Sequence, residues 1–193
     1  MKKEKMNLDK FGHTPADPWR WRAAEGPDIP AIIDLITRNS GPDIQGITDI
    51  NPVEGSRNLM HAIVNQMYVP KQEMVSVAVL TDTKEIIAFN WAQRDKRFSW
   101  STEEFVESRF MSIESSFSRR IRLALCVQAI KQYERWAGLC ELKLVVSNSM
   151  RRDWEFYMHI HERLGWYIRG SAAYKRLSTI NLEPETGRII LPY

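Results

Sequence analysis

The stretch Ser115-Ser116-Phe117-Ser118-Arg119-Arg120-Ile121-Arg122-Leu123-Ala124 sets three arginines at the start of a long helical pattern. A helix N-terminus leaves backbone N–H groups unpaired, and its dipole favours an anion there, phosphate above all. Guanidinium groups match phosphate geometry, so Arg119, Arg120 and Arg122 are candidate phosphate ligands. Without an anion, the same three cations oppose the dipole. The competing reading is a solvated basic helix start.

A second stretch runs from Val145-Val146-Ser147-Asn148 to Trp154, Phe156, Tyr157 and His161, then Glu162-Arg163-Leu164-Gly165-Trp166-Tyr167. Spacings of three and four put Trp154, Tyr157 or Met158, and His161 on one helical face. Read alone, that face is a core stripe with His161 satisfied by a hydrogen bond. Glu114 ends a short strand pattern just before the arginines.

These groups need a scaffold, and the pattern of apolar residues supplies one. Residues 19–24 alternate Trp and Arg and predict a half-buried strand. Gly26-Pro27-Asp28 is a tight turn, with Asp28 as N-cap of a helix from residue 29. Residues 41–55 are loop-rich, and 58–68 have helical spacing ended by Pro70. Residues 74–80 and 85–93 form an antiparallel hairpin. Residues 99–108 are ambiguous between helix and loop, and 110–114 are a short strand. Residues 119–137 are the strongest helix, capped by Gly138. A strand over 142–146, a helix over 153–164 and short strands over 166–168 and 172–177 complete the order. That order predicts a mixed α/β sheet with helices on both faces.

The composition narrows the class. A length of 193 residues fits one domain. Such a chain buries about 70% of its unfolded surface. With 27 Lys+Arg against 24 Asp+Glu, the net charge of +3 demands no nucleic acid, and a pI of about 8.9 leaves an acidic ligand open. Mean hydropathy is −0.39, and no apolar run approaches the roughly 20 residues of a membrane span. The lysine-rich start lacks an apolar core and is not read as a secretory signal. Two cysteines make neither a disulfide framework nor a four-cysteine zinc site, and no metal is expected. Cys126 and Cys140 read as reduced core residues of a cytoplasmic protein. Residues 1–18 are read as a charged arm, 19–178 as the domain, and 179–193 as a tail or hairpin ending Ile189-Ile190-Leu191-Pro192-Tyr193.

The element order and the two stretches resemble the GCN5-related N-acetyltransferase (GNAT) family, over residues 19–177. In that family a loop of the form Arg/Gln-x-x-Gly-x-Gly/Ala cradles the pyrophosphate of acetyl-CoA. Arg119 and Ala124 match it here, and Arg122 stands where the first Gly is expected. The family's Tyr-Glu-Lys-x-Gly-Phe signature resembles His161-Glu162-Arg163-Leu164-Gly165-Trp166. The resemblance implies a mixed, largely antiparallel sheet, with acetyl-CoA as cosubstrate in the splay between the fourth and fifth strands. Arg119, Arg120, Arg122, Leu123, Ala124 and Asn148 would then contact the cosubstrate. It implies direct attack of an amine on the thioester, with Glu114 as base and Tyr157 or His161 as acid. The acceptor pocket would draw on residues 40–51 and 99–108, where Asp43, Asp49, Glu103 and Glu104 would attract a cationic amine or are ordinary surface acids. The alternative for Glu114 is a surface carboxylate paired with Arg119 or Arg120.

The alternative is a GNAT-shaped structural or interaction subunit without catalysis, such as a virion or assembly component. The glycine-free loop, the His161 replacement, the arm and the apolar tail favour it, and the chain loosely resembles phage-encoded proteins of that kind. The arm and tail would then contact further copies or assembly neighbours. A third reading, nucleic-acid binding through Trp19, Arg20, Trp21 and Arg22, conflicts with the need for those aromatics in the core.

Overall fold

The computed structural model describes residues 17–44, 50–69, 71–96, 101–149 and 154–177, with the backbone alone at 40–44, 174 and 176. The expected arm to residue 16 and the tail from 178 lie outside the described residues. The elements in chain order are β1 (Trp19–Ala23), α1 (Ile29–Ile44), α2 (Pro52–Tyr68), β2 (Glu73–Leu80), β3 (Ile86–Asp95), β4 (Phe105–Ile113), α3 (Arg119–Leu139), β5 (Leu144–Asn148), α4 (Trp154–Arg163), β6 (Tyr167–Arg169) and β7 (Ala172–Arg176). The strands form one seven-stranded sheet in the order β1-β2-β3-β4-β5-β7-β6. Every pairing is antiparallel except β4 with β5. The parallel pair is joined by the long α3 crossover.

Helices cover both faces, so the central strands are buried on both sides. Ile32 and Leu35 of α1 and Leu59 and Ile63 of α2 pack on Val75, Val77 and Val79 of β2 and Phe89 of β3. The opposite face carries α3. Its Leu125 and Ala129 meet Trp19, Trp21 and Ala78, and its Val127, Ile130 and Tyr133 share a cluster with Met158 and Ile160 of α4. Two glutamines on α3 satisfy buried donors that the sheet presents. Gln128 Oε1 accepts the indole N–H of both Trp19 and Trp21 at 2.9 Å, and Gln132 Oε1 accepts Ser76 Oγ at 2.6 Å. Both cysteines are buried and neither forms a disulfide among the described residues, and burial pushes the Cys140 thiol up to about 11.

Several boundaries differ from the sequence reading. α1 runs through Gly41 and Pro42, because a proline in the last turn removes a single ladder bond. Asp28 does not cap α1. It sits in a 3-10 turn, Gly26–Asp28, and accepts two bonds from Arg22 and one from the Glu25 amide. α2 starts at Pro52, six residues earlier than its apolar spacing suggests. Asn51 Oδ1 caps it by accepting from the Val53 and Glu54 amides at 3.0 and 3.2 Å. Gly138 lies inside α3, and Glu141, at φ 61°, takes the left-handed turn after it. β4 begins at Phe105 within the stretch that was ambiguous, and β5 is shifted two residues toward the C-terminus.

Candidate active site

The site begins where β4 and β5 part. β4 and β5 pair only through Val106↔Val145 and Glu107↔Val146. β4 continues to Ile113, and no described strand pairs residues 108–113 on the β5 side. β5 turns its other edge to β7. β4 also bulges here: Trp91 opposes Phe110 and Ala92 opposes Ser108, so Arg109 is the extra residue. A bulge bends its strand and raises its twist, which opens the fork.

Polar side chains line the fork. Ser147 Oγ lies 3.1 Å from Ser108 Oγ and 3.2 Å from the hydroxyl of Tyr157, which reaches in from α4. The Asn148 amide donates to Ser108 Oγ at 3.4 Å, and Asn148 Nδ2 donates to Glu107 Oε1 at 3.2 Å. Glu107 is buried, with its other oxygen 3.7 Å from Arg109.

The N-terminus of α3 is built by the turn after β4. Ser118 is the N-cap: its carbonyl accepts the Arg122 amide at 3.1 Å, and its Oγ accepts the Ile121 amide at 3.5 Å. The amides of Arg119 and Arg120 have no partner among the described residues, and the first turn holds no acid. Arg119, Arg120 and Arg122 are all exposed, and none pairs with a carboxylate among the described residues. Arg119 lies over the Phe156 ring of α4 at 5.1 Å, which brings the N-termini of α3 and α4 together. Leu123 and Ala124 lie past the free amides, with Leu123 buried and Ala124 packed toward β1. Only the first positions of the arginine stretch present donors.

Tyr157 and His161 share the predicted face but have different environments. His161 is fully buried, and burial pulls its imidazole down to about 4. Its Nδ1 lies 3.0 Å from the Tyr157 carbonyl, which can only accept, so Nδ1 carries the proton. Its Nε2 has no hydrogen-bond partner among the described residues. The ring stands edge-on to Tyr157 and Trp166, with centroids 4.5 and 4.8 Å away. A buried imidazole kept neutral is a poor acid. The His161 ring is packed against Tyr157 and Trp166, whereas the Tyr157 hydroxyl is in the fork.

No family model and no curated protein matches the sequence. An acetyltransferase of the GNAT family from Streptococcus pneumoniae is similar at a TM-score of 0.58 and 14% identity, covering 82% of this chain and 99% of that one. The chain has the GNAT fold. PaiA N-acetyltransferase from Thermoplasma acidophilum, solved in complex with coenzyme A, is similar at 0.60 and 11%, covering 82% and 98%. Ribosomal-protein-S5-alanine acetyltransferase from Vibrio fischeri is similar at 0.59 and 17%, covering 88% and 98%.

On this GNAT fold the remaining expected residues fall in different places. Glu114 is buried and does not pair with Arg119 or Arg120. Arg38 of α1 holds one of its oxygens at 2.7 Å, and the Ser116 amide donates to the other at 3.1 Å. Burial opposes its charge, but the Ser116 hydrogen bond and Arg38 outweigh it and hold the carboxyl below its usual range. A carboxylate so stabilised is a weak proton acceptor, which argues against Glu114 as the base. Asp49 lies outside the described residues, as does the side chain of Asp43. Glu104 pairs with Arg94 and Lys96, and Glu103 is exposed.

The fork contains residues the sequence reading missed: Glu107, Ser108 and Arg109. They fell in or beside an ambiguous stretch, and no local spacing marks them. Among the described residues no group of three His, Cys, Asp or Glu is placed to hold a metal ion, and no helix is long and apolar enough to cross a membrane.

Proposed function

We propose that the protein is an acetyl-CoA-dependent N-acetyltransferase with an amine acceptor. One observation carries this reading: the unneutralised N-terminus of α3, with three arginines, opens beside a β4/β5 fork that holds the Tyr157 hydroxyl. The amides of Arg119 and Arg120 and the three guanidiniums suit a pyrophosphate. Their fit is better than the glycine missing at Arg122 suggests, because the Arg122 amide is already taken by the Ser118 carbonyl and is not called on to approach the phosphates. Asn148 would fix the pantetheine arm along β5.

The chemistry is a single transfer. Glu107, which stands 3.7 Å from Arg109 where Glu114 is held at 2.7 Å by Arg38, takes a proton from the acceptor's ammonium group. The free amine attacks the thioester carbon, so a C–N bond forms and the C–S bond breaks. Tyr157 gives its proton to the departing thiolate, and the proton shed as the amide forms restores the phenol. Ser147, bonded to Tyr157 and Ser108, holds the hydroxyl in place. We further propose residues 19–178 as the catalytic unit in a reducing, cytoplasmic setting, with 1–18 and 179–193 as appendages.

The test is release of coenzyme A thiol from acetyl-CoA in the presence of primary amines: a lysine peptide, a peptide with a free N-terminus, an aminoglycoside and a polyamine. Release above the amine-free rate supports the reading. The second reading, an inactive interaction subunit (in a virion or another assembly), draws on α2, where Val53, Met60, Val64 and Met67 are exposed at helical spacing. It is favoured if coenzyme A does not bind at millimolar concentration and no amine is modified.

A further inference from the structure

The turn between β4 and α3 is tied to α1 at two points. Arg38 places NH1 2.7 Å from Glu114 Oε2, and Asn39 Oδ1 accepts the Ser115 amide at 2.9 Å. Glu114 passes the first tie onward by accepting the Ser116 amide with its other oxygen. The Arg38 guanidinium is itself oriented by Asp34, which accepts its Nε at 3.0 Å. Glu114 is anchored to the sheet as well, its amide donating to the Ile87 carbonyl at 2.9 Å. Two adjacent turn amides, Ser115 and Ser116, are thus taken by side chains, with only Phe117 and Ser118 between them and the free amides of α3.

We propose that Arg38 and Asn39 are positioning residues: acting through Glu114 and the Ser115 amide, they hold the β4–α3 turn so that the Arg119 and Arg120 amides face the pyrophosphate of the cosubstrate. This rests on the acetyl-CoA reading of the site. It gives Glu114 a role its environment suits, since an ion-paired carboxylate bonded to an amide holds backbone well and accepts protons poorly. It also makes the α1 helix part of the phosphate site, although α1 lies 76 residues away from Glu114 in sequence. Removing the Arg38 guanidinium leaves Glu114 buried without its cation, and the carboxylate would then turn toward water and take the Ser116 amide with it.

The experiment compares wild type with Arg38→Ala, Arg38→Lys and Asn39→Ala, using coenzyme A itself as the probe. Arg38 is half exposed but Glu114 is buried, so Arg38→Ala is expected to lower the melting temperature by several degrees and Arg38→Lys by less, and binding is compared well below the lowest of these temperatures. Two quantities are read: the coenzyme A dissociation constant, and amide hydrogen exchange at Ser115 and Ser116 without ligand. We expect Arg38→Ala to weaken coenzyme A about tenfold and to speed exchange at Ser116. Asn39→Ala should speed exchange at Ser115 and weaken binding less, and Arg38→Lys should recover part of the affinity. Unchanged exchange in Arg38→Ala would overturn the tie, and faster exchange with unchanged affinity would overturn its role in binding. If the wild type binds no coenzyme A, the reading of the site fails, and the exchange data alone then decide whether the tie exists.

Discussion

The hydroxyl of Tyr157 and Oγ of Ser147 stand 3.2 Å apart, joining α4 to β5 where the strands part. Tyr157→Phe removes the only proton on that side chain able to reach a thiolate, and keeps the ring that packs on His161. The expected result is a fall in turnover of about 100-fold with coenzyme A affinity within about twofold of wild type. Steady-state kinetics with the best acceptor, paired with calorimetry, checks both halves. Turnover near wild type would remove Tyr157 as the acid.

His161 predicts a pH signature of stability. Its folded pKa of about 4 lies below the ordinary 6.5, so between those values the unfolded chain binds more protons at this position than the folded one. Its contribution is therefore fully present above about pH 6.5 and is lost as pH falls toward 4. The span corresponds to about 3 kcal/mol at most. The measurement is urea unfolding of wild type and His161→Gln across that range. The difference between the two should shrink on acidification, and a pH-independent difference would contradict a neutral buried imidazole.

Gln128 predicts a packing cost. Its Oε1 is the acceptor for two buried indoles, Trp19 and Trp21, so Gln128→Leu strands both donors. The expected loss is about 3 kcal/mol by chemical denaturation. Adding Trp19→Phe to Gln128→Leu removes one stranded donor, so the pair should cost less than the sum of the single changes.

What was legible in the sequence was what lies close together along it. The order of strands and helices follows from the alternation of Val75, Val77 and Val79 and the helical spacing of Leu123, Val127 and Ile130. The arginine stretch was legible because one contiguous run builds a helix start. β4 was hidden because the bulge at Arg109 breaks its alternation, so residues on either side change face. The starts and stops of α1 and α2 were obscured by Gly41, Pro42 and Gly55, which the helices absorb, although Asn51-Pro52 was a readable cap. The fork itself has no local signature. Glu107 and Asn148 are 41 residues apart, Ser108 and Ser147 are 39 apart, and only the parallel pairing of β4 with β5 brings them together.

The arginines predict salt-sensitive binding. Arg120→Glu places a carboxylate beside the free amides and is expected to weaken coenzyme A about tenfold or more. Because the three guanidiniums are exposed, raising ionic strength should weaken wild-type binding too, and less so in the variant. Isothermal titrations at low and high salt read both effects. An Arg120→Glu affinity equal to wild type would remove the pyrophosphate from the α3 N-terminus.

If this glycine-free helix start still binds the cosubstrate, calorimetric titration of the purified chain with acetyl-CoA and with coenzyme A gives saturable one-to-one binding at micromolar concentration for both ligands. No heat at millimolar ligand would contradict it and leave the fold without its cosubstrate.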